Sequence, residues 1–270
     1  MYKIIACDLD ETLLGSDRKV SVGNRAAIAK ARERGVKFVL ATGRGFASVQ
    51  GTLTELGLND ADGEYVISFN GGVITENKQN RVLSFHGLPF DLAQDLFARG
   101  LARDVCIHVY TIDTVYAFRL NDNEVSYVNG RMEMTESHAT DLNFLAGQNI
   151  VKILFQNTDA AYLRQIEADC GDIADRADIS FSSNRYIEFN AKGVTKGAGL
   201  LQLCSVLDVN PQDTVAIGDN FNDLPMIQAA GLGVGVQNSA EGLKKFCDVV
   251  TEARYDEDAV AEVIEKYILT

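Results

Sequence analysis

The chain has 270 residues, 46% hydrophobic and 23% charged, with 25 Lys and Arg against 38 Asp and Glu for a formal charge of -13. This length predicts one large domain or two smaller ones, and the composition excludes a disordered chain. The acidic balance argues against nucleic acid or an anionic membrane as partner, and it requires a metal ion or a few placed cations wherever an anionic substrate is to bind.

A short apolar strand, Ile4 to Cys7, ends at Asp8 and Asp10 and the turn Glu11-Thr12-Leu13. Residues two apart on a regular strand point to opposite faces, but a turn beginning at the second lets both carboxylates reach one crevice. Strand ends of open α/β sheets are where ligands bind, so the pair is a candidate reaction centre. Asp is also common in turns and helix caps, and that reading stays open for either residue taken alone. Helical and strand-like stretches then alternate: Asn24 to Arg34, Val36 to Ala41, Phe46 to Leu56, and Tyr65 to Phe69, with Gly35 ending the first helix. This rhythm predicts parallel strands joined by crossover helices.

From Ser84 to Tyr186 the pattern changes. Val105 to Ile112, Val115 to Leu120, Val151 to Gln156 and Ile179 to Ser182 mix apolar and polar positions, with helical Phe90 to Arg103 and Ala160 to Cys170 among them. Half-buried alternating strands with helices on one side predict an open-faced α/β unit inserted into the first. The expected division is a core of 1–83 and 188–270 and an insert of 84–187, with Asn70 to Ser84 and Tyr186 to Lys192 as hinges. The first rhythm then resumes with helix Lys196 to Leu207, strand Thr214 to Ile217, helix Leu224 to Ala230, strand Gly233 to Val236 and helix Glu257 to Tyr267.

The five cysteines, Cys7, Cys106, Cys170, Cys204 and Cys247, are far apart and form no CxxC or Cys/His pair, as expected of reduced thiols in a reducing compartment. The apolar run before Asp8 is too short for the central region of a signal peptide, and no stretch approaches a membrane span, so a cytoplasmic location is expected. His86, His108 and His138 all fall in or beside the insert, away from the clusters described next.

Four clusters sit at strand ends or helix starts: Asp8-Leu9-Asp10-Glu11-Thr12, Thr42-Gly43-Arg44, Lys196, and Gly218-Asp219-Asn220-Phe221-Asn222-Asp223. Singly they are weak signals: a lone Lys is usually solvated, and acids at a helix N-terminus suit the macrodipole. Their order and residue types resemble those of the haloacid dehalogenase superfamily over nearly the whole chain. The first cluster is similar to its DxDxT motif, Thr42 to its Ser/Thr motif, Lys196 to its basic motif and Asp219 to Asp223 to its GDxxND motif. The insert, with Ser68-Phe69-Asn70-Gly71-Gly72 and Gly193-Val194-Thr195-Lys196-Gly197, resembles the Cof-type branch with a large C2 cap. Two positions depart from that branch: Glu11 stands where Gly is usual, and Gly235-Val236-Gln237-Asn238-Ser239-Ala240 matches its Gly-Asn-Ala pattern loosely.

The resemblance implies a doubly wound, Rossmann-like parallel-sheet core with an inserted α+β cap that closes over it and presents specificity groups. It implies a Mg²⁺-dependent phosphomonoester hydrolase for small phosphorylated metabolites, sugar phosphates foremost, working through an aspartyl-phosphate. A phosphate ester repels nucleophiles, and a carboxylate attacks it only where a cation neutralises both. Asp8 and Asp219 offer the hard oxygens that Mg²⁺ prefers. By resemblance Asp8 is the nucleophile and Asp10 the acid and then the base, while Thr42 and Lys196 hold the phosphoryl oxygens. Leu9, Gly43, Arg44 and Asn222 join these in binding substrate, and Asp10 (through its backbone carbonyl) and Asp223 join Asp8 and Asp219 at the metal. Two further readings remain: a phosphohexomutase, since eukaryotic phosphomannomutases resemble this plan, and a phosphoaspartate signalling module, since receiver domains combine acids, a Thr and a Lys.

Overall fold

The apolar run Ile4–Cys7 (β1) is buried at every residue, because both faces of this strand are covered. In the computed structural model, which describes residues 1–130 and 132–270, β1 leads to α1 (Val22–Glu33), β2 (Lys37–Ala41), α2 (Gln50–Glu55), β3 (Tyr65–Ser68), β4 (Val73–Glu76) and β5 (Arg81–Phe85). A second unit follows: α3 (Phe90–Leu101), β6 (Cys106–Thr111), β7 (Val115–Phe118), α4 (Asp122–Val128), β8 (Thr135–Glu136), β9 (Ile150–Gln156), α5 (Ala160–Asp169), β10 (Ala177–Ser182) and β11 (Tyr186–Ala191). The chain then returns to the first unit with α6 (Lys196–Leu207), β12 (Thr214–Gly218), α7 (Leu224–Ala229), β13 (Leu232–Gly235), α8 (Glu241–Lys244), β14 (Val249–Val250) and α9 (Ala259–Tyr267).

The first unit, Met1–Phe85 with Thr195–Thr270, holds a sheet in the order β14-β13-β12-β1-β2-β3-β4-β5. The pairs from β14 through to β3 are parallel, and β4 and β5 add antiparallel edges. The chain runs outward from β1 through β2 and β3, then starts again at β12 on the other side. The gap between β1 and β12 is therefore the topological switch point, the place where doubly wound sheets open a crevice at their carboxyl ends. One sheet face, with Ile4, Ala6, Val39, Ala41 and Ile67, packs against Leu200 and Leu203 of α6 and Met226 and Ile227 of α7. On α1, Ser21 caps the first turn by accepting from Asn24 N–H at 3.1 Å.

The second unit, His86–Val194, has its own sheet in the order β10-β11-β9-β6-β7-β8, antiparallel except between β7 and β8. Alternation splits it into two faces. Ile107, Val109, Ile153, Phe155, Ile187 and Phe189 form a core with Leu92, Leu96 and Phe97 of α3 and Leu163 and Ile166 of α5. The opposite face is polar yet buried: Lys152 Nζ pairs with Glu188 Oε2 at 2.5 Å, and Glu124 of α4 accepts from Tyr186 Oη at 2.6 Å and Arg185 Nη2 at 2.7 Å.

His108 lies on this polar face, fully buried, with neither ring nitrogen hydrogen-bonded. Glu124 Oε1 is 3.5 Å from its Nε2, but that carboxylate is already committed to Arg185 and Tyr186. Burial, aided by the Lys152 and Arg185 charges, holds the imidazole down at about 4. The unfolded chain would bind a proton near the ordinary value of about 6.5 while the fold resists it until about 4. This contribution is complete above pH 6.5 and is lost as pH falls toward 4. Replacing His108 by Gln should therefore flatten the fall in thermal midpoint between about pH 7 and pH 5, measured by circular dichroism.

Two expected hinges are strands instead. The span Asn70 to Ser84 contains β4 and most of β5, and Tyr186 to Lys192 contains β11, paired on both sides with β9 and β10. The second compact unit spans His86–Val194, beside the 84–187 expected for the insert. The polar residues of β11 look like a linker because Glu188 and Asn190 face the buried polar side of the sheet. Helix α4 was also not foreseen, and α9 begins at Ala259 because Asp258 before it is left-handed at φ 66°. Among the described residues no helix is long and apolar enough to cross a membrane.

Candidate active site

At the switch point β1 delivers Asp8 and β12 delivers Asp219, with Asp8 N–H extending the ladder to Ile217 O at 2.9 Å. Asp8, Asp219 and Asp223 each bring a carboxylate oxygen to within 4.8 Å of the others. Gly218 permits this closeness, since a Cβ there would lie 2.5 Å from Asp223. Asp223 is fully buried, and its Oδ2 accepts from the N–H groups of Asp219 at 2.9 Å and Asn220 at 3.1 Å. Its Oδ1 accepts from Lys196 Nζ at 2.6 Å, and the same ammonium reaches Asp8 Oδ1 at 2.5 Å. Thr195 caps α6 through Ala198 N–H and so fixes where Lys196 begins.

The electrostatics show an excess of negative charge. Burial, with Lys196 opposing and Asp223 reinforcing, pushes the Asp8 carboxyl up to about 6. Burial together with Asp8 and Asp223 pushes Asp219 up to about 8. Burial works against the Lys196 ammonium, but its two carboxylate partners more than offset this and hold it above its ordinary value. Cys7, next to this cluster, is driven well up by burial and is a core thiol. One ammonium does not neutralise three carboxylates, and hard oxygens crowded in this way suit a divalent cation such as Mg²⁺.

Thr42 follows β2, nearly fully buried, and its N–H donates to Ile67 O at 2.9 Å. Its Oγ1 accepts from Arg44 N–H at 3.0 Å, which leaves the hydroxyl proton to donate elsewhere. Asp10 stands in the turn after β1. Its carboxylate is outside the acidic cluster, 55% exposed, and is held in a two-point grip by Arg44, whose Nε reaches Oδ2 at 3.0 Å and whose Nη2 reaches Oδ1. The guanidinium fork of Arg44, on the loop after β2, matches the geometry of this carboxylate. Leu9 has a buried side chain and contributes through its backbone N–H, which supports the Asp8 carboxylate. Asn222 is exposed, and Gly43 lies beneath the Asn70 amide.

Three residues of the site had no role from sequence. Thr12 is buried and its hydroxyl donates to Asp219 Oδ1 at 3.1 Å; the DxDxT spacing was its only signal. Glu11 adopts φ 56°, the hand that the more usual Gly takes freely, and Asn238 Nδ2 secures it by donating to Glu11 O at 2.9 Å. Asn238 also accepts from Tyr255 N–H at 3.0 Å, which gives the loosely matching Gly235 to Ala240 segment a bracing function. Asn70 is the third. In the second unit Arg119 spends its guanidinium on the carbonyls of Leu101 and Arg103, and Arg185 and Tyr186 spend polar atoms on Glu124.

Comparison with known proteins agrees with this geometry. The family described as haloacid dehalogenase-like hydrolase matches residues 5–264. The 5-amino-6-(5-phospho-D-ribitylamino)uracil phosphatase YcsE of Bacillus subtilis is 30% identical over 273 residues, covering 99% of this chain and 96% of its own. Phosphatase YwpJ of the same organism is 27% identical over 296 residues, covering 97% and 99%. A crystal structure of a haloacid dehalogenase-like hydrolase from Bacteroides thetaiotaomicron superposes with a TM-score of 0.84 at 29% identity, covering 98% of this chain and 99% of that one. With a doubly wound core, an inserted α+β unit and acids gathered at the switch point, the chain belongs to the haloacid dehalogenase-like hydrolases and is a phosphatase of their Cof-type branch.

Proposed function

We propose that the protein hydrolyses phosphomonoesters of small metabolites, sugar phosphates foremost, with Mg²⁺ as cofactor and Asp8 as nucleophile. The observation that carries this reading is the buried set Asp8, Asp219 and Asp223 around Lys196. Asp8 and Asp219 would hold the ion, joined by the Asp10 main-chain carbonyl, since both Asp223 oxygens are already engaged by Lys196 and the loop amides. Bound there, Mg²⁺ supplies the positive charge that lets a carboxylate approach a phosphate dianion.

The chain's own groups do the rest. An Asp8 oxygen forms a bond to phosphorus while the bond from phosphorus to the ester oxygen breaks, and Asp10 gives that oxygen its proton. Asp10, now a carboxylate, takes a proton from water as its oxygen attacks the same phosphorus. The bond to Asp8 then breaks, inorganic phosphate leaves, and both acids return to their starting states. The Lys196 ammonium offsets charge on the phosphoryl oxygens, and the Thr42 hydroxyl donates to one of them. Arg44 orients the Asp10 carboxyl group, which enters the cycle protonated and is returned to that state by the second step.

Support for a polyol or sugar phosphate comes from YcsE, whose named substrate carries a phosphorylated ribityl chain. Discrimination among esters is assigned to the inserted unit. A panel of phosphorylated sugars, polyols, nucleotides and cofactors, assayed with and without Mg²⁺, should give highest kcat/KM among sugar and polyol phosphates. A preference for nucleotides would overturn the substrate assignment, and turnover dependent on an added sugar bisphosphate would indicate a mutase instead.

A further inference from the structure

Three consecutive residues between β3 and β4 are left-handed: Phe69 at φ 51°, Asn70 at φ 54° and Gly71 at φ 98°. Glycine accepts this hand without cost, whereas Phe and Asn pay a steric penalty, and such conformations persist only where surrounding contacts over-determine them. The contacts lie on two sides. Toward the loop after β2, Phe69 N–H donates to Arg44 O at 3.0 Å and Asn70 N–H donates to Thr42 O at 2.9 Å. The tip of the Phe69 ring lies against Gly45, where a Cβ would come within 2.6 Å of Cζ, and the Asn70 amide lies over Gly43, where a Cβ would come within 3.2 Å of Oδ1. That Oδ1 is buried without a hydrogen-bond partner.

Toward α6 the fit is tighter still. A Cβ on Gly71 would lie 2.2 Å from Thr195 O, and one on Gly199 would lie 2.8 Å from the Gly71 Cα. The turn is thus wedged between the loop that carries Thr42 and Arg44 and the helix start that carries Lys196. We infer that the left-handed turn Phe69–Gly71 is a clamp that sets the separation of Thr42 and Lys196, with Asn70 as its positioning residue. The inference rests on the phosphatase reading above, because the clamp matters to function only if those two groups hold a phosphoryl group.

Asn is among the few residues that tolerate this hand, so Ala and Gly at position 70 separate backbone from side chain. Asn70→Ala should lower kcat/KM for an aryl phosphate by about 10- to 100-fold, the scale of a misplaced binding group. It should also weaken competitive inhibition by inorganic phosphate by several-fold. Asn70→Gly, which restores the left-handed backbone without the amide, should recover most of both. Thermal midpoints measured alongside give the folded fraction of each variant. An Asn70→Ala enzyme with unchanged kcat/KM and unchanged phosphate inhibition would overturn the clamp. So would a loss that matches the unfolded fraction alone, or an Asn70→Gly enzyme as impaired as Asn70→Ala. If the unaltered enzyme neither hydrolyses aryl phosphate nor binds inorganic phosphate, the phosphatase reading fails first and the clamp falls with it.

Discussion

Asp8→Asn is expected to leave a folded protein whose turnover on an aryl phosphate is lower by at least about 10³. The substitution keeps the shape at the end of β1 and removes the nucleophilic charge. Stability should not follow activity down. Burial and the neighbouring Asp223 already push the Asp8 carboxyl up to about 6, so the native state holds this charge against resistance. Lys196, losing Asp8, keeps its 2.6 Å contact with Asp223. A thermal midpoint equal to or above that of the unaltered protein is the expected result, the usual relation where a site stores unfavourable charge for function. Wild-type turnover in this variant would show the acid to be structural.

The second large effect is on metal dependence. Chelation should abolish aryl phosphate hydrolysis, and added Mg²⁺ should restore it. Mg²⁺ should also raise the thermal midpoint, because an ion that binds only the folded state stabilises it, by about 2.7 kcal/mol at a hundredfold excess over Kd. Asp219→Asn should lose both responses together, since its carboxylate, pushed up to about 8 by burial and by Asp8 and Asp223, is the group most in need of a cation. Full activity of a chelated preparation would remove Mg²⁺ from the account.

Much of this site is legible in sequence because its parts stand at element ends. β1 reads as an apolar run closed by acids, β12 as another, and Lys196 opens a helix behind the cap Thr195. What sequence hid was of two kinds. Side-chain direction after a turn does not follow strand alternation, so the grip of Arg44 on Asp10 has no signal in the sequence. Burial of polar residues is the other: β11 looked like a connector because Glu188 and Asn190 are polar, yet they are buried on a sheet face that also holds Lys152 and His108. Asn70 belongs with the first kind, since a left-handed backbone at a residue other than Gly likewise has no signature in composition or period.

The central claim is that phosphorus passes through Asp8. Rapid acid quenching of a single turnover with an aryl phosphate, followed by peptide fragmentation that resolves Asp8 from Asp10, tests it directly. The account predicts a transient phosphoryl group on Asp8 that decays as inorganic phosphate appears. Release of phosphate with no modified Asp8 at any time, or with the phosphoryl group on another residue, would contradict it.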